Sequence, residues 1–377
     1  MNPKIWLSSP HMGGSERKFV AETFDSNWVA PLGPNVDGFE KDIENYLGNN
    51  SQVAVLSAGT AALHLALILL NVQRDDEVLC QSMTFSASAN PIRYQQAIPV
   101  FIDSEKDTWN MDPNALEDAI KQRTAKGKTP KAIIPVHLYG MPAKMEDIIA
   151  IAEEYEVPII EDAAEALGSS INGVMCGTFG ELSILSFNGN KIITTSGGGA
   201  LVAKNKHYTD KATFLATQAR DPAPHYQHSE IGYNYRMSNI CAAIGRGQMQ
   251  VLPERIEQRR KNFEFYKSAL EDFPGIAFVE EPEGYFSNRW LTTILVDPTK
   301  SGITREDLRL ALLEENIESR PLWKPMHLQP VFKDFPYYGG NISEKLFENG
   351  LCLPSGSNLE EKDLERVVDK MRQTIRK

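Results

Sequence analysis

Short apolar runs recur through the first two thirds of the chain, separated by segments with helical spacing. The runs at 53–57, 77–81, 98–103, 132–137, 157–162, 182–187 and 200–203 read as strands. Residues 61–71 and 145–155 carry apolar positions at helical intervals. Strands alternating with helices of this length build βαβ units and a largely parallel sheet. Both faces of such a sheet are covered, which accounts for wholly apolar stretches such as Val157-Pro158-Ile159-Ile160. The expected fold class is therefore α/β.

The pattern changes after residue 238. One long helix is expected over 238–270, with Arg255, Arg259, Arg260 and Lys261 late in its course. It would bridge to a second, smaller α/β domain with a strand near 290–296, a helix near 305–315 and a final helix from about 359. Thr304, followed by Glu306 and Asp307, is the N-cap signal of the helix at 305. The expected division is a large domain over 1–250 and a small one over 251–377.

Composition narrows the class of protein. A chain with 42% hydrophobic and 24% charged residues is globular, not disordered, collagen-like or coiled-coil. The longest apolar run lies within 61–70, about half of what a membrane span needs, so no membrane partner is expected. The start, Met1-Asn2-Pro3-Lys4, lacks the charged-then-apolar pattern of a secretory leader, and a cytoplasmic location is expected. A net charge of −11 argues against a nucleic-acid partner while leaving room for a local basic pocket. Cys80, Cys176, Cys241 and Cys352 show no metal-ligand spacing, so no metal is expected and buried reduced thiols are the simple reading.

Three segments carry candidate chemistry at the carboxyl ends of predicted strands, where open α/β sheets bind ligands. Ser57-Ala58-Gly59-Thr60-Ala61-Ala62 joins a strand to a helix, and its small residues, free amides and Thr60 hydroxyl suit a phosphate. It has neither a Walker A loop nor a GxGxxG fingerprint, and alone it could be a tight turn. Asp162, after an apolar strand, could pair with a cationic ring nitrogen or a metal, or simply cap a helix. Lys191 follows Ser186-Phe187-Asn188-Gly189-Asn190 and precedes Gly197-Gly198-Gly199. A lysine withdrawn from water becomes a carbonyl nucleophile, whereas a loop lysine in water does not. Together, a phosphate cradle, an anion for a pyridine nitrogen and a Schiff-base lysine are what pyridoxal 5′-phosphate (PLP) requires.

In this order and over nearly the whole chain, the motifs resemble those of the DegT-type sugar-nucleotide aminotransferases, within the fold-type I PLP enzymes. The resemblance is carried by Ser57–Ala66, Thr84-Phe85, Pro135–Gly140, Glu161–Ala166, Gly177–Gly180, the Lys191 segment and Gly232–Met237. It implies that Lys191 forms the Schiff base and shuttles the proton, and that Asp162 keeps the pyridinium protonated. It implies that Phe85 stacks on the ring, and that Gly59, Thr60 and Ser186 bind the phosphate, with Ala61 in the same turn. Glu165 would face the ring hydroxyl, at a position where many relatives carry Gln or His. Asn234 would reach the phosphate of a neighbouring subunit's cofactor, which implies a homodimer with a shared site. Asn188 departs from relatives with His in that segment. A lysine at 191 implies transamination, since PLP-dependent dehydratases of the family carry His there.

The strings 186–199 and 318–327 are similar to the subgroup that aminates C-4 of nucleotide-linked 4-keto-6-deoxy sugars, above all to the UDP-N-acetylbacillosamine branch. This implies a UDP-2-acetamido-2,6-dideoxy-4-keto-hexose as acceptor, L-glutamate as donor and a place in surface-glycan biosynthesis. GDP-perosamine-type or dTDP-sugar C-4 or C-3 transamination is the alternative, and a catalytically silent PLP-binding regulator is the alternative of another class. Arg320 and Lys324 could neutralise a diphosphate. Trp290 or Trp323 could cover a sugar or base face, or pack in the core. His327 could bond a sugar hydroxyl or be structural. His137 reads as structural. Arg236 and Arg320 are candidates for the donor's α-carboxylate.

Overall fold

In the computed structural model, residues 2–48 and 50–375 are described. The apolar runs of the first two thirds form β1 (Gln52–Leu56), β2 (Glu77–Gln81), β3 (Ile98–Ile102), β4 (Ala132–Ile134), β5 (Ile160–Asp162), β6 (Leu182–Ser186) and β7 (Gly199–Ala203). Later come β8 (Ile276–Phe278), β9 (Thr292–Val296), β10 (Arg320–Pro321), β11 (Tyr337–Tyr338) and β12 (Gly350–Leu353). One set of strands runs in the order β1-β7-β6-β5 and another in the order β11-β3-β2-β4. Parallel bridges from Ile133 to Ile159 and from Val136 to Asp162 join the two sets into one layer. Every pairing in that layer is parallel except the two made by β7.

The layer is apolar on both sides because helices cover both. Along β1, Ala54 and Leu56 pack in one cluster with Leu63, Leu65 and Leu215, while Val53 and Val55 pack in another with Phe39, Ile43 and Phe187. Successive strand side chains point to opposite faces, so two cores of this kind require a run with no polar alternation. The parallel sense of β1, β5 and β6 brings their carboxyl ends, Leu56, Asp162 and Ser186, to one edge.

The smaller sheet has the order β8-β9-β12-β10 and is antiparallel throughout. The helix Arg305–Glu314 packs on it and opens with the expected cap: the Thr304 hydroxyl accepts from the Asp307 amide, and the Asp307 carboxylate accepts from the Thr304 amide. Two features differ from the sequence pattern. The stretch expected as one helix is two, Asn239–Met249 and Leu252–Leu270. Pro253 lies in the first turn of the second, where a residue without an amide proton costs nothing, whereas inside a continuous helix it would break the ladder. The start of the chain runs beside the C-terminal sheet: Ile5 pairs with Ile317 and packs with Tyr266, Leu308 and Leu351. Among the described residues no helix is long and apolar enough to cross a membrane.

Candidate active site

A cleft opens at the shared edge, lined by Ser57–Thr60, Phe85, Ser88, Asp162, Glu165, Ser186, Lys191, Gly197, Gly198, Trp290 and Trp323, among others. At one side the helix Gly59–Leu69 starts without a side-chain cap, so its first amides are left for a ligand. Close packing fixes this turn. A Cβ on Gly59 would lie 3.2 Å from the Ser186 Cβ, and one on Gly199 would lie 2.3 Å from the Gly59 nitrogen. Uncapped amides, the Thr60 hydroxyl and the Ser186 hydroxyl make a donor set for a phosphate.

At the other side Asp162 is 5% exposed. Its Oδ2 accepts from the Ser88 hydroxyl at 2.6 Å and its Oδ1 from the Ala164 amide at 3.1 Å. Burial pushes its carboxyl above the usual range, opposed by these hydrogen bonds and by the Lys191 charge. A cation arriving in the cleft would favour the ionised form.

Lys191 lines the same cleft. Its Nζ is 3.3 Å from Glu165 Oε1 and 4.0 Å from the centre of the Trp290 ring. Burial raises Glu165 as well, opposed first by the Lys191 charge and then by the Tyr139 amide, which donates to Glu165 Oε2 at 2.6 Å. The Trp290 indole N–H donates to the carbonyl of Asn190 at 2.7 Å, so the ring is tied to the residue before the lysine. Tyr139, at φ 55°, is stacked between Trp290 and Trp323, with centroids 6.3 and 6.1 Å away. Its hydroxyl accepts from the Trp323 amide at 2.7 Å. Trp323 in turn meets Phe85, half exposed at the mouth, at 5.3 Å.

The cleft thus gathers Gly59, Thr60, Phe85, Asp162, Glu165, Ser186, Lys191, Trp290 and Trp323. Ala61 sits in the first turn of the same helix. The other candidates lie outside this lining. Asn234 is on an exposed loop, bridged to Thr217. Arg320 is exposed and paired with Glu318 at 2.7 Å. Lys324 is partly exposed beside the three-residue turn Met326–Leu328. His327 is held by Ser82 at 2.7 Å and Glu344 at 3.2 Å and stacks on Tyr337 at 3.8 Å. The Arg236 guanidinium is spent on Glu40 at 2.6 Å and the Val55 carbonyl at 2.9 Å.

His137 is fully buried. Its Nδ1 accepts from the Ala143 amide at 2.9 Å, so its Nε2 carries the proton donated to Glu161 at 2.7 Å. Glu161 accepts further from Gly177, Phe179, Gly180 and Ser183. Cys176 lies close enough to complete a three-donor group, but every ligating atom of His137 and Glu161 is already bonded. Ser88 and Tyr139 are the site residues that periodicity did not single out. Ser88 acts through a hydroxyl aimed at a carboxylate distant in sequence, and Tyr139 through its positive φ and its amide, and a hydrophobic pattern encodes neither.

The donor set fits a phosphorylated pyridine carbonyl compound: phosphate donors and a buried carboxylate flank a lysine. Comparison with known proteins agrees. The model of the DegT/DnrJ/EryC1/StrS aminotransferase family matches residues 10–372. EpsN of Bacillus subtilis is 53% identical over 373 residues, covering 98% of this chain and 95% of that one. A GDP-perosamine synthase of Escherichia coli O157:H7 is 38% identical over 356 residues, 94% of each chain. Among solved structures, a DegT DnrJ EryC1 StrS aminotransferase from Brucella abortus superposes with a TM-score of 0.89 at 31% identity, over 96% of both chains. The PLP form of the sugar aminotransferase Spr1654 from Streptococcus pneumoniae does so with 0.90 at 25% identity, over 99% of both.

Proposed function

The chain belongs to the DegT/DnrJ/EryC1/StrS aminotransferase family of PLP-dependent sugar aminotransferases, and on that premise we propose that it moves the amino group of L-glutamate to C-4 of a nucleotide-linked 4-keto-6-deoxy sugar. The acceptor in this reading is UDP-2-acetamido-2,6-dideoxy-4-keto-hexose, and the product feeds surface-glycan biosynthesis. The observation that carries the transfer chemistry is Lys191 Nζ, held 3.3 Å from Glu165 in the cleft that ends at Asp162. The acceptor rests on the strings 186–199 and 318–327. The 38% identity to a GDP-perosamine synthase favours a GDP-sugar as the second reading.

When bound, PLP supplies a carbonyl that takes the amine and a ring that draws electrons from the reacting carbon. The chain supplies everything else. Gly59, Thr60, Ala61 and Ser186 hold the phosphate. Asp162, oriented by Ser88, keeps a proton on the ring nitrogen, and Phe85 covers a ring face. Lys191 Nζ takes the proton from the donor's α-carbon and later delivers one to the sugar's C-4. Glu165 orients that ammonium group and faces the ring hydroxyl. Trp290 shields Nζ from water on the opposite side.

In this reading residues 1–250 form the cofactor-binding domain, and 251–377 form the smaller domain. Trp290 and Trp323 bound the sugar, while Arg320, Lys324 and His327 meet the nucleotide-sugar as it closes over the mouth. The enzyme is a cytoplasmic homodimer in which Asn234 completes the partner's phosphate site. The exposed loop around Asn234 supports this, for it carries Tyr226 at 79% and Ile231 at 85% exposure.

A half-reaction tests the function. The purified enzyme is converted to its pyridoxamine phosphate form with glutamate, freed of excess donor and mixed with the UDP-4-keto sugar. Return of the visible absorbance of the pyridoxal form, with an amino sugar found by mass, is the expected result. Return with the GDP-4-keto sugar alone would move the acceptor to the second reading. Return with neither, from enzyme shown to hold the amine form, would overturn the C-4 assignment.

A further inference from the structure

Arg259 is fully buried on the helix Leu252–Leu270, and no carboxylate pairs with it among the described residues. Burial, together with the nearby Arg255 charge, lowers its pKa to about 9. A buried cation without a counter-charge is costly, so a residue that only filled space would be better apolar. Its guanidinium is instead spread over three chain segments. Nη1 donates to the Trp290 carbonyl at 2.5 Å and to the Ser355 carbonyl at 3.1 Å, and Nη2 donates to the Ser8 hydroxyl at 3.0 Å.

Two of those partners turn toward the lysine loop. Ser8 Oγ donates to the Asn190 carbonyl at 2.7 Å, and the Trp290 indole N–H donates to the same oxygen at 2.7 Å. The bonds therefore close a ring: Arg259 to Trp290, Trp290 to Asn190, Ser8 to Asn190, Arg259 to Ser8. The ring passes through the carbonyl oxygen of the peptide unit that joins Asn190 to Lys191, and its Trp290 member carries the indole face on which Lys191 Nζ rests at 4.0 Å. Ser8 reaches this place because the first residues of the chain run along the C-terminal sheet, where the Leu7 carbonyl accepts from the Ser355 amide at 2.8 Å.

We propose that Arg259 and Ser8 are positioning residues for Lys191, holding its backbone and its aromatic support in one hydrogen-bonded ring that spans the N-terminal strap, the helix Leu252–Leu270 and the Lys191 loop. The proposal rests on Lys191 being the reacting lysine. Arginine is suited to the task because its planar fork meets several carbonyls at once, where a lysine would meet one.

Ser8→Ala opens the ring without touching the cleft, and it takes one hydrogen bond from the Arg259 guanidinium while leaving the two to the Trp290 and Ser355 carbonyls. Misplacement of a reacting group by about 1 Å costs up to about 100-fold in rate. With the Trp290 bond to Asn190 still made, a fall of roughly tenfold in kcat of the glutamate half-reaction is expected, with KM for glutamate within twofold and a somewhat lower melting temperature, because the buried guanidinium loses one partner. Ser8→Thr, which keeps the hydroxyl, restores the rate. The second readout is the pH at which the bound cofactor's visible band changes: it shifts in Ser8→Ala and returns in Ser8→Thr. Arg259→Lys is expected to behave like Ser8→Ala if it folds. Borohydride reduction followed by peptide mass mapping identifies the lysine that holds the cofactor in each protein. Label on another lysine would sink the premise. Label on Lys191 with an unchanged rate and band in Ser8→Ala, or a lower melting temperature that Ser8→Thr does not correct, would overturn the positioning role.

Discussion

Lys191 Nζ and Glu165 Oε1 stand 3.3 Å apart in a cleft that leaves the lysine side chain 11% exposed and the glutamate 4%. Few ion pairs are so withdrawn from water, and this one links the amine proposed to react to a carboxyl whose other oxygen is bonded to the backbone at Tyr139. Lys191→Ala is expected to abolish turnover and the borohydride-fixed cofactor together. Glu165→Gln keeps an acceptor for the Tyr139 amide and loses only the charge. It should retain the fixed cofactor and lose about tenfold in rate, less than the roughly 100-fold or more expected of a group that transfers the proton itself. Mass mapping after borohydride and stopped-flow absorbance separate the two variants.

Asp162 and Glu165 are both raised by burial. A carboxyl whose native value lies above its unfolded one binds more protons folded than unfolded. Its contribution is then most favourable at low pH and is lost as pH rises. In the cofactor-free protein the contribution of these two carboxyls should therefore be lost as pH climbs from the ordinary values of 3.8 and 4.5 through the raised native ones, against the opposite trend of carboxyls held low, such as Glu16, Asp103 and Glu161. Asp162→Asn removes one ionisation, so the apoprotein should melt higher at pH 7 than the parent while activity falls. Differential scanning calorimetry at pH 4.5 and 7 checks the sign: the gain of Asp162→Asn over the parent should be larger at pH 7, and a gain that shrinks as pH rises would contradict it.

Gly199 begins β7 against the turn that opens the helix Gly59–Leu69, where a Cβ would meet Ala58 and Gly59 backbone atoms within 2.4 Å. Backbone cannot step aside as a side-chain tip can. Gly199→Ala should displace the first amides of that helix and weaken cofactor binding by at least about tenfold, a cost in keeping with over-packing a tight contact. Titration of the apoprotein with PLP, followed by absorbance, measures it.

The large layer was legible where the code is local. Residues 77–81 and 98–102 are strands because two covered faces demand uninterrupted apolar runs, and Thr304 caps its helix because hydroxyl and carboxylate stand three residues apart. What was not legible depends on partners distant in sequence. A helical period continues across 250–251 although the chain bends there, and only Pro253 marks the break. The pairing of Ile5 with Ile317 leaves no mark in either segment. Arg259 reads as one basic residue among four on a helix, and its burial follows from three carbonyl and hydroxyl partners contributed by remote loops. The cleft residues were legible through their motifs, while Arg320, Lys324, His327 and Asn234 lie apart from the lining, in places a linear string does not reveal.

Arg320 is exposed, and its pairing with Glu318 contributes little to stability in water. If it meets the acceptor's diphosphate with Lys324, the double variant Arg320→Ala, Lys324→Ala should raise KM for the nucleotide sugar by about tenfold, the scale of a charge-assisted contact. The glutamate half-reaction and the melting temperature should stay as in the parent. Equal KM values would remove both residues from the acceptor site.

The proposed shared site makes a mixing experiment decisive. In that proposal Lys191→Ala and Asn234→Ala would each damage both sites of their own homodimer. A mixed dimer holds one site with both residues intact, so equal mixing after subunit exchange should recover about a quarter of parental activity. Recovery of none, with exchange verified by native mass spectrometry, would confine Asn234 to its own subunit.

The reversed strand β7 gives the site an uneven history within the chain. It lies beside β6 as its antiparallel neighbour, so the Lys191 loop is a hairpin connection whose ends meet without any long excursion of the polypeptide. Closing so short a loop is cheap in chain entropy. The phosphate turn at Gly59 and the Ser186 it touches are joined only after more than a hundred intervening residues have been gathered. During folding, the nucleophile's segment can take its shape early, while the anion cradle waits for the whole layer to assemble. Cofactor capture would then report completion of the sheet rather than formation of the lysine loop.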